Sequence, residues 1–119
     1  MEDRLVNFAI SVIMLSKSVM RNFEGIHLYK QLVRSGTSVA LNYGEARNAE
    51  SKRDFVHKLN IILKELLETQ INLRIIDRCN LSRDREQLYK TISECNELTA
   101  IFVTSLKTAK ANLKSESKE

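Results

Sequence analysis

The stretch SKRDFVHKLNIILKELLETQINLRIIDRCN, Ser51 to Asn80, decides how this chain folds. Ser51 is a helix N-cap residue type, and Asp54 stands three positions on, the spacing of a capping box. Phe55, Leu59, Ile62, Leu66, Thr69, Leu73 and Ile76 then alternate in steps of four and three, which puts them on one helical face. Ile61, Leu63, Leu67, Ile71 and Ile75 fall off that face. From Ile61 to Ile76 the helix is therefore apolar nearly all round. Such a helix is either central to a bundle or shared with another subunit. At about 28 residues it spans about 42 Å.

Similar patterns lie on both sides. Upstream, a helix is expected from His27 to Ala46, with Leu28, Leu32, Ser35, Val39 and Asn42 at the same spacing. Its centre, Ser35, Gly36, Thr37, Ser38 and Ala40, is small and polar. A Gly inside a helix costs about 1 kcal/mol relative to Ala, so close approach of another backbone is the expected return. The hydroxyls are expected to bond to a preceding carbonyl or across that contact. Asn42 is read as a structural polar residue that needs partners and sets register. A first helix is expected from Asp3 to Met20 on Leu5, Phe8, Val12, Leu15 and Val19, with Ile10, Ile13 and Met14 widening its apolar face. Asn22 and Gly25 mark the turn that follows. Downstream, Asn80 is a C-terminal cap residue and Ser82 the expected cap of a fourth helix. That helix carries Leu88, Ile92, Cys95, Thr99, Phe102, Leu106, Ala109 and Leu113. The fold class is all-α, an up-down-up-down antiparallel four-helix bundle. Residues 1–113 form the single domain, and 114–119 are expected to be a polar, disordered tail.

The chain has 119 residues, no Pro, no Trp and three Gly, which suits one helical domain with a sizeable core. Its net charge of +4 is uneven. Residues 26–64 carry seven basic side chains against three acidic ones, while the two flanking segments balance. Lys30, Arg34, Arg47, Lys52, Arg53 and Lys58 are thus the candidate contacts for the phosphates of RNA or DNA. The plainer reading is a solvated helix face, because +4 is modest for a nucleic-acid binder. Cys79 and Cys95 make neither a CxxC nor a zinc spacing. Cys95 stands on an apolar position and is expected in the core. Acidic Glu2 and Asp3 stand where a secretory leader would be positive, and the apolar run from Phe8 to Leu15 is too short to span a bilayer. A cytoplasmic protein with reduced thiols and no membrane contact is expected.

Catalytic signals are weak. His27 and His57 stand in no HExxH and beside no motif-grade nucleophile. Glu65 and Glu68 form ExxE, as do Glu94 and Glu97, but a di-iron bundle requires ExxH, which is absent from the sequence. There is no GxxxxGK[ST] and no GxGxxG. No metal or cofactor is expected. Glu68 shares a face with Ile61 and Ile75, so it is read as a structural carboxylate in need of a basic partner, Arg34 or Arg74. The excess apolar surface of the first and third helices points to self-association, with Leu63, Leu67 and Ile71 as interface candidates.

The segment QLVRSGTSVALNYGE, residues 31–45, resembles the motif QLxRAxxSIxxNxxEG, and DFVHKLNIILKELLETQINLRII resembles a second motif with a KExxET core. Both belong to the four-helix-bundle proteins related to ribosomal RNA intervening-sequence proteins. Gln31, Arg34, Ser38, Asn42 and Glu45 match in the first motif; Asp54, Phe55, Leu59, Lys64, Glu65, Glu68 and Thr69 match in the second. Ala46 replaces a Gly, Leu41 replaces a frequent Pro, and Ile71 and Asn72 replace an aromatic pair. The resemblance implies a bundle that assembles as a homopentameric ring. A similar bundle, the accessory protein of diversity-generating retroelements, binds nucleic acid and a reverse transcriptase. Two functions remain open at this point: a non-enzymatic oligomer that binds RNA, DNA or a nucleic-acid-processing protein through its basic segment, and a structural or adaptor oligomer for a protein partner.

Overall fold

The structure is a computed structural model that describes residues 1–117. Among the described residues the chain forms four helices: α1 (Glu2–Ser16), α2 (Phe23–Arg47), α3 (Lys52–Arg78) and α4 (Arg85–Ser117). Each packs on its sequence neighbours, and α1 also packs on α4. The backbones of the diagonal pairs α1–α3 and α2–α4 stay farther apart, and α2 meets α4 through side chains, Tyr43 packing edge-on to Phe102. The result is an up-down-up-down square bundle, 56 Å long and 23 × 21 Å in section.

The caps explain the boundaries. The Asn22 side chain accepts from the Gly25 N–H at 2.8 Å, so α2 starts at Phe23, a turn before the expected His27. Ser51 Oγ accepts from the Asp54 N–H at 3.0 Å and starts α3. Asp84 Oδ1 accepts from the Gln87 N–H at 3.0 Å, so Asp84 rather than Ser82 caps α4. Ser82 Oγ instead accepts from the Asp84 N–H in the preceding turn. α3 closes on Asn80 at φ 53°, with Asn80 N–H bonded to the Asp77 carbonyl and Leu81 N–H to that of Ile76. This is a Schellman motif, and its apolar pair, Leu81 and Ile76, is buried.

α1 ends at Ser16, short of the expected Met20, because the next residues pair with another loop. Met20 N–H donates to the Leu81 carbonyl at 2.8 Å, and Arg83 N–H donates to the Ser18 carbonyl at 2.9 Å. The α1–α2 and α3–α4 connections are thereby tied together at one end of the bundle. Gly25 is not a helix-ending residue. It lies in the first turn of α2, where a Cβ would stand 1.8 Å from the Met20 carbonyl oxygen. At the other end α4 continues to Ser117, so residues 114–117 of the expected tail are helical. Residues 118 and 119 of that tail lie outside the described residues.

The core is one cluster with contributions from all four helices, centred on Leu5, Phe8, Leu32, Ile62, Leu66 and Phe102. The small centre of α2 serves both its neighbours. A Cβ on Gly36 would come within 2.8 Å of Val12 Cγ2, so α1 lies directly on it. One residue away, Ser35 Oγ and Thr69 Oγ1 share a buried hydrogen bond of 2.7 Å between α2 and α3. Thr37 and Ser38 bond back to the carbonyls of Val33 and Ser35.

Two glycine replacements separate these roles. Gly25→Ala collides with backbone and should destabilise the protein by about 2–4 kcal/mol. Gly44 is helical, and a Cβ there would meet nothing within 4 Å, so Gly44→Ala should stabilise by about 0.5–1 kcal/mol. Urea unfolding of both variants checks the contrast.

Candidate functional site

The basic candidates divide into those already paired and those left open. Arg34 donates from Nη2 to Glu68 at 2.9 Å and from Nη1 to Glu65 at 3.3 Å, joining α2 to α3. The hydrogen bond to Glu68, then the charge of Glu65, raises the Arg34 guanidinium above its ordinary value. Arg47 donates to Glu2 at 2.9 Å, and Lys58 donates to Glu45 at 3.1 Å. Three of the six candidates are therefore held by carboxylates of the same chain. Lys52 is exposed. Lys30 and Arg53 are exposed and have no ion-pair partner among the described residues. The set also does not converge: thirteen positions along α2 separate Arg34 from Arg47, about 20 Å.

Sequence reading had named Arg53 as a candidate phosphate contact but not the basic residues that share its face. Arg53, His57, Lys64, Arg74 and Arg78 recur in steps of three, four or their sums along the solvent face of α3. Lys64, Arg74 and Arg78 likewise have no ion-pair partner among the described residues. Segment totals hid Arg74 and Arg78 because residues 65–119 are neutral as a whole. Helical spacing was the signal that finds them.

The polar residues of the matched motifs behave differently from one another. Gln31 lines a groove between α2 and α3 and is exposed. Glu45 and Glu68 are in the ion pairs above. Asn42 is half-buried, and its Nδ2 donates to the Ser38 carbonyl at 2.9 Å within α2. It does not reach another helix; the polar link across that contact is Ser35–Thr69. The polar residue that does remain unmet is Asn72, which the sequence reading did not single out. It is 7 % exposed, lines the same groove, and its Oδ1 has no hydrogen-bond partner. A buried acceptor in that state costs about 1–3 kcal/mol.

Of the interface candidates, Leu67 and Ile71 lie open, Ile71 at 54 % exposure, whereas Leu63 is half-buried and packs on the core. Ile75 extends the open pair by one turn. On α1, Val6, Ile10, Ile13 and Met14 form a second exposed stripe. Phe23, 85 % exposed, stands at the start of α2 beside a pocket lined also by His27, Leu28, Ile75 and Cys79.

Among the described residues no group of three His, Cys, Asp or Glu side chains could hold a metal ion. No helix there is long and apolar enough to cross a membrane. Glu94 is drawn below the usual carboxylate range by the Arg4 guanidinium, which grips it at 2.9 and 2.7 Å and ties α1 to α4. Its contribution to stability is present at neutral pH and fades as pH falls through its lowered value. Burial pushes the Cys95 thiol up to about 12. The folded protein at pH 8 should therefore consume one equivalent of a maleimide, at exposed Cys79, and a second only after unfolding. Mass spectrometry of the labelled peptides reads this directly.

Comparison with known proteins places these surfaces in context. No curated protein sequence matches this chain. A crystal structure from Bacteroides thetaiotaomicron, described as a protein with unknown function from the S23 ribosomal protein family, superposes with a TM-score of 0.79. It is 33% identical in sequence over 89% of this chain and 97% of its own. The family model described as 23S rRNA-intervening sequence protein matches residues 3–104, which takes in α1 to α3 and most of α4. This chain belongs to the 23S rRNA-intervening sequence protein family.

Proposed function

We propose that this protein is a non-enzymatic homo-oligomer, a pentameric ring by the family resemblance, that binds RNA or DNA through cations on α2 and α3. The observation that carries the binding reading is that Arg53, Lys64, Arg74 and Arg78 on the outer face of α3, with Lys30 on α2, have no ion-pair partner among the described residues. Side chains that no carboxylate of the same chain neutralises are the ones available to displace counterions from a phosphate backbone. Aromatic stacking platforms do not accompany them, so contacts are to phosphates and carry little sequence preference. The exposed apolar stripes of α1 and α3 support the assembly reading. Free thiols at Cys79 and Cys95 fit the reducing cytoplasm.

A second reading, an adaptor oligomer that binds a protein, is favoured by one specific observation. Arg34, Arg47 and Lys58 are spent on internal ion pairs, which leaves a weaker positive surface than the residue count implies.

Replacing Lys30 and Arg53 together by Glu leaves the Arg47–Glu2 and Lys58–Glu45 pairs in place. Under the nucleic-acid reading, RNA retention at 50 mM salt falls about tenfold or more, and the salt dependence of binding becomes shallower by about one unit of slope for each phosphate no longer neutralised. Unchanged retention and slope, with a protein partner recovered after nuclease treatment, selects the adaptor.

A further inference from the structure

We propose that the outward face of α1 seats in the groove between α2 and α3 of a second copy of this chain. The proposal rests on the assembly part of the reading above and says which surfaces meet. The α1 backbone approaches those of α2 and α4 but not that of α3, so its exposed stripe and that of α3 lie on diagonal corners and cannot cover each other within one chain. Each needs a partner from outside.

The two surfaces match in spacing. Val6, Ile10 and Met14 recur every fourth residue, as do Leu67, Ile71 and Ile75. Beside the α3 stripe lies a groove of about 330 Å³, with Leu28 and Gln31 of α2 on its other wall. Buried Asn72 lines it with an unmet Oδ1. That hydrogen-bonding demand is not met inside the chain. Asn7 and Ser11 flank Ile10 on α1, so polar side chains stand at the middle of the incoming stripe. A turn before each stripe stand opposite charges, Asp3 on α1 and Lys64 on α3. Both are exposed and without an ion-pair partner among the described residues. Lys17 and Arg78, both exposed, end the stripes, and the same register sets these two cations opposite each other, a repulsion that the apolar contact must offset.

They also match in height. Arg4 holds Glu94, next to Cys95, whose thiol points to the Leu66 carbonyl at 3.5 Å, and Val19 pairs with Ser82 at the loop end. Both stripes fall between these two levels. α1 and α3 run in the same direction, so a rotation about an axis along the bundle brings Val6, Ile10 and Met14 beside Leu67, Ile71 and Ile75. A contact between unlike surfaces without axial offset closes into a ring, whereas an offset builds a filament. A two-fold contact of α1 with α1 would leave the groove and Asn72 uncovered. Since α1 is short, seating it covers α3 only from about Lys64 onward. Arg53 and His57 stay open to a ligand.

Cross-linking in a Cys79→Ser background tests the pairing, because Cys95 is buried. Ile10→Cys and Ile71→Cys are made singly and together, then treated with a short bis-maleimide. The double variant should give a ladder up to the assembled size, and neither single variant should cross-link. Self-cross-linking of a single variant overturns the pairing in favour of a two-fold contact. No ladder from the double variant, with light scattering still reporting an oligomer, overturns the pairing and leaves self-assembly standing. A monomer mass for the unsubstituted protein at micromolar concentration removes both.

Discussion

The bundle depends on how closely α2 approaches both its neighbours at one level. Gly36 admits Val12 of α1 almost to backbone contact, and Ser35 reaches Thr69 of α3 through a buried hydroxyl pair. Any larger side chain at Gly36 would push α1 outward and open the cluster around Phe8 and Leu32. A buried Leu is worth about 1.5–3 kcal/mol, so the helical cost of one glycine, about 1 kcal/mol, is offset by keeping even one such side chain packed. The hydroxyl pair does a second job. It satisfies two polar atoms inside the core where α2 and α3 lie close.

Charge works around that packing rather than through it. Arg4 with Glu94, Arg47 with Glu2, Arg34 with Glu65 and Glu68, Lys58 with Glu45, and Arg85 with Asp77 together link every pair of adjacent helices. These pairs are at least partly exposed, and such pairs are worth about 0–1 kcal/mol each. Their larger effect is on what remains for a ligand. Cations tied to the protein's own carboxylates are withdrawn from the surface field. Lys90, Lys107 and Lys110 stand exposed on α4, and Arg53, Lys64, Arg74 and Arg78, without an ion-pair partner among the described residues, line the outer face of α3. The same helix thus supplies core on one side, an apolar strip on another and free cations beyond it. This division of faces explains why it is apolar almost all round only in its second half.

Much of the fold was legible in particular residues. Ser51 announced the start of α3, Asn80 its end, and Leu5, Phe8, Val12 and Leu15 the inner face of α1, because capping and periodicity are local physics. Three of the misjudged features share one cause. Met20 leaves the helix because its N–H is taken by Leu81, Gly25 is required by the Met20 carbonyl, and Ser82 yields the cap to Asp84 because the loops pair. Each partner lies outside the helix whose boundary it sets, so no helical pattern contains it. Leu63 was grouped with Leu67 and Ile71 on a helical wheel, yet α4 and α2 decide which apolar faces are covered.

The sequence by itself determined an all-α chain of four amphipathic helices, one of them apolar beyond the needs of a single face, and an excess of positive charge near its centre. It also carried the motifs that resemble the family to which the chain belongs. Tertiary structure decided which cations are free, which carboxylates hold the rest, and that Asn72 rather than Asn42 carries the unmet polar atom. It also set the two apolar strips at one height on opposite corners. Composition and periodicity describe one helix at a time, whereas pairing, burial and height depend on which residues other helices bring alongside.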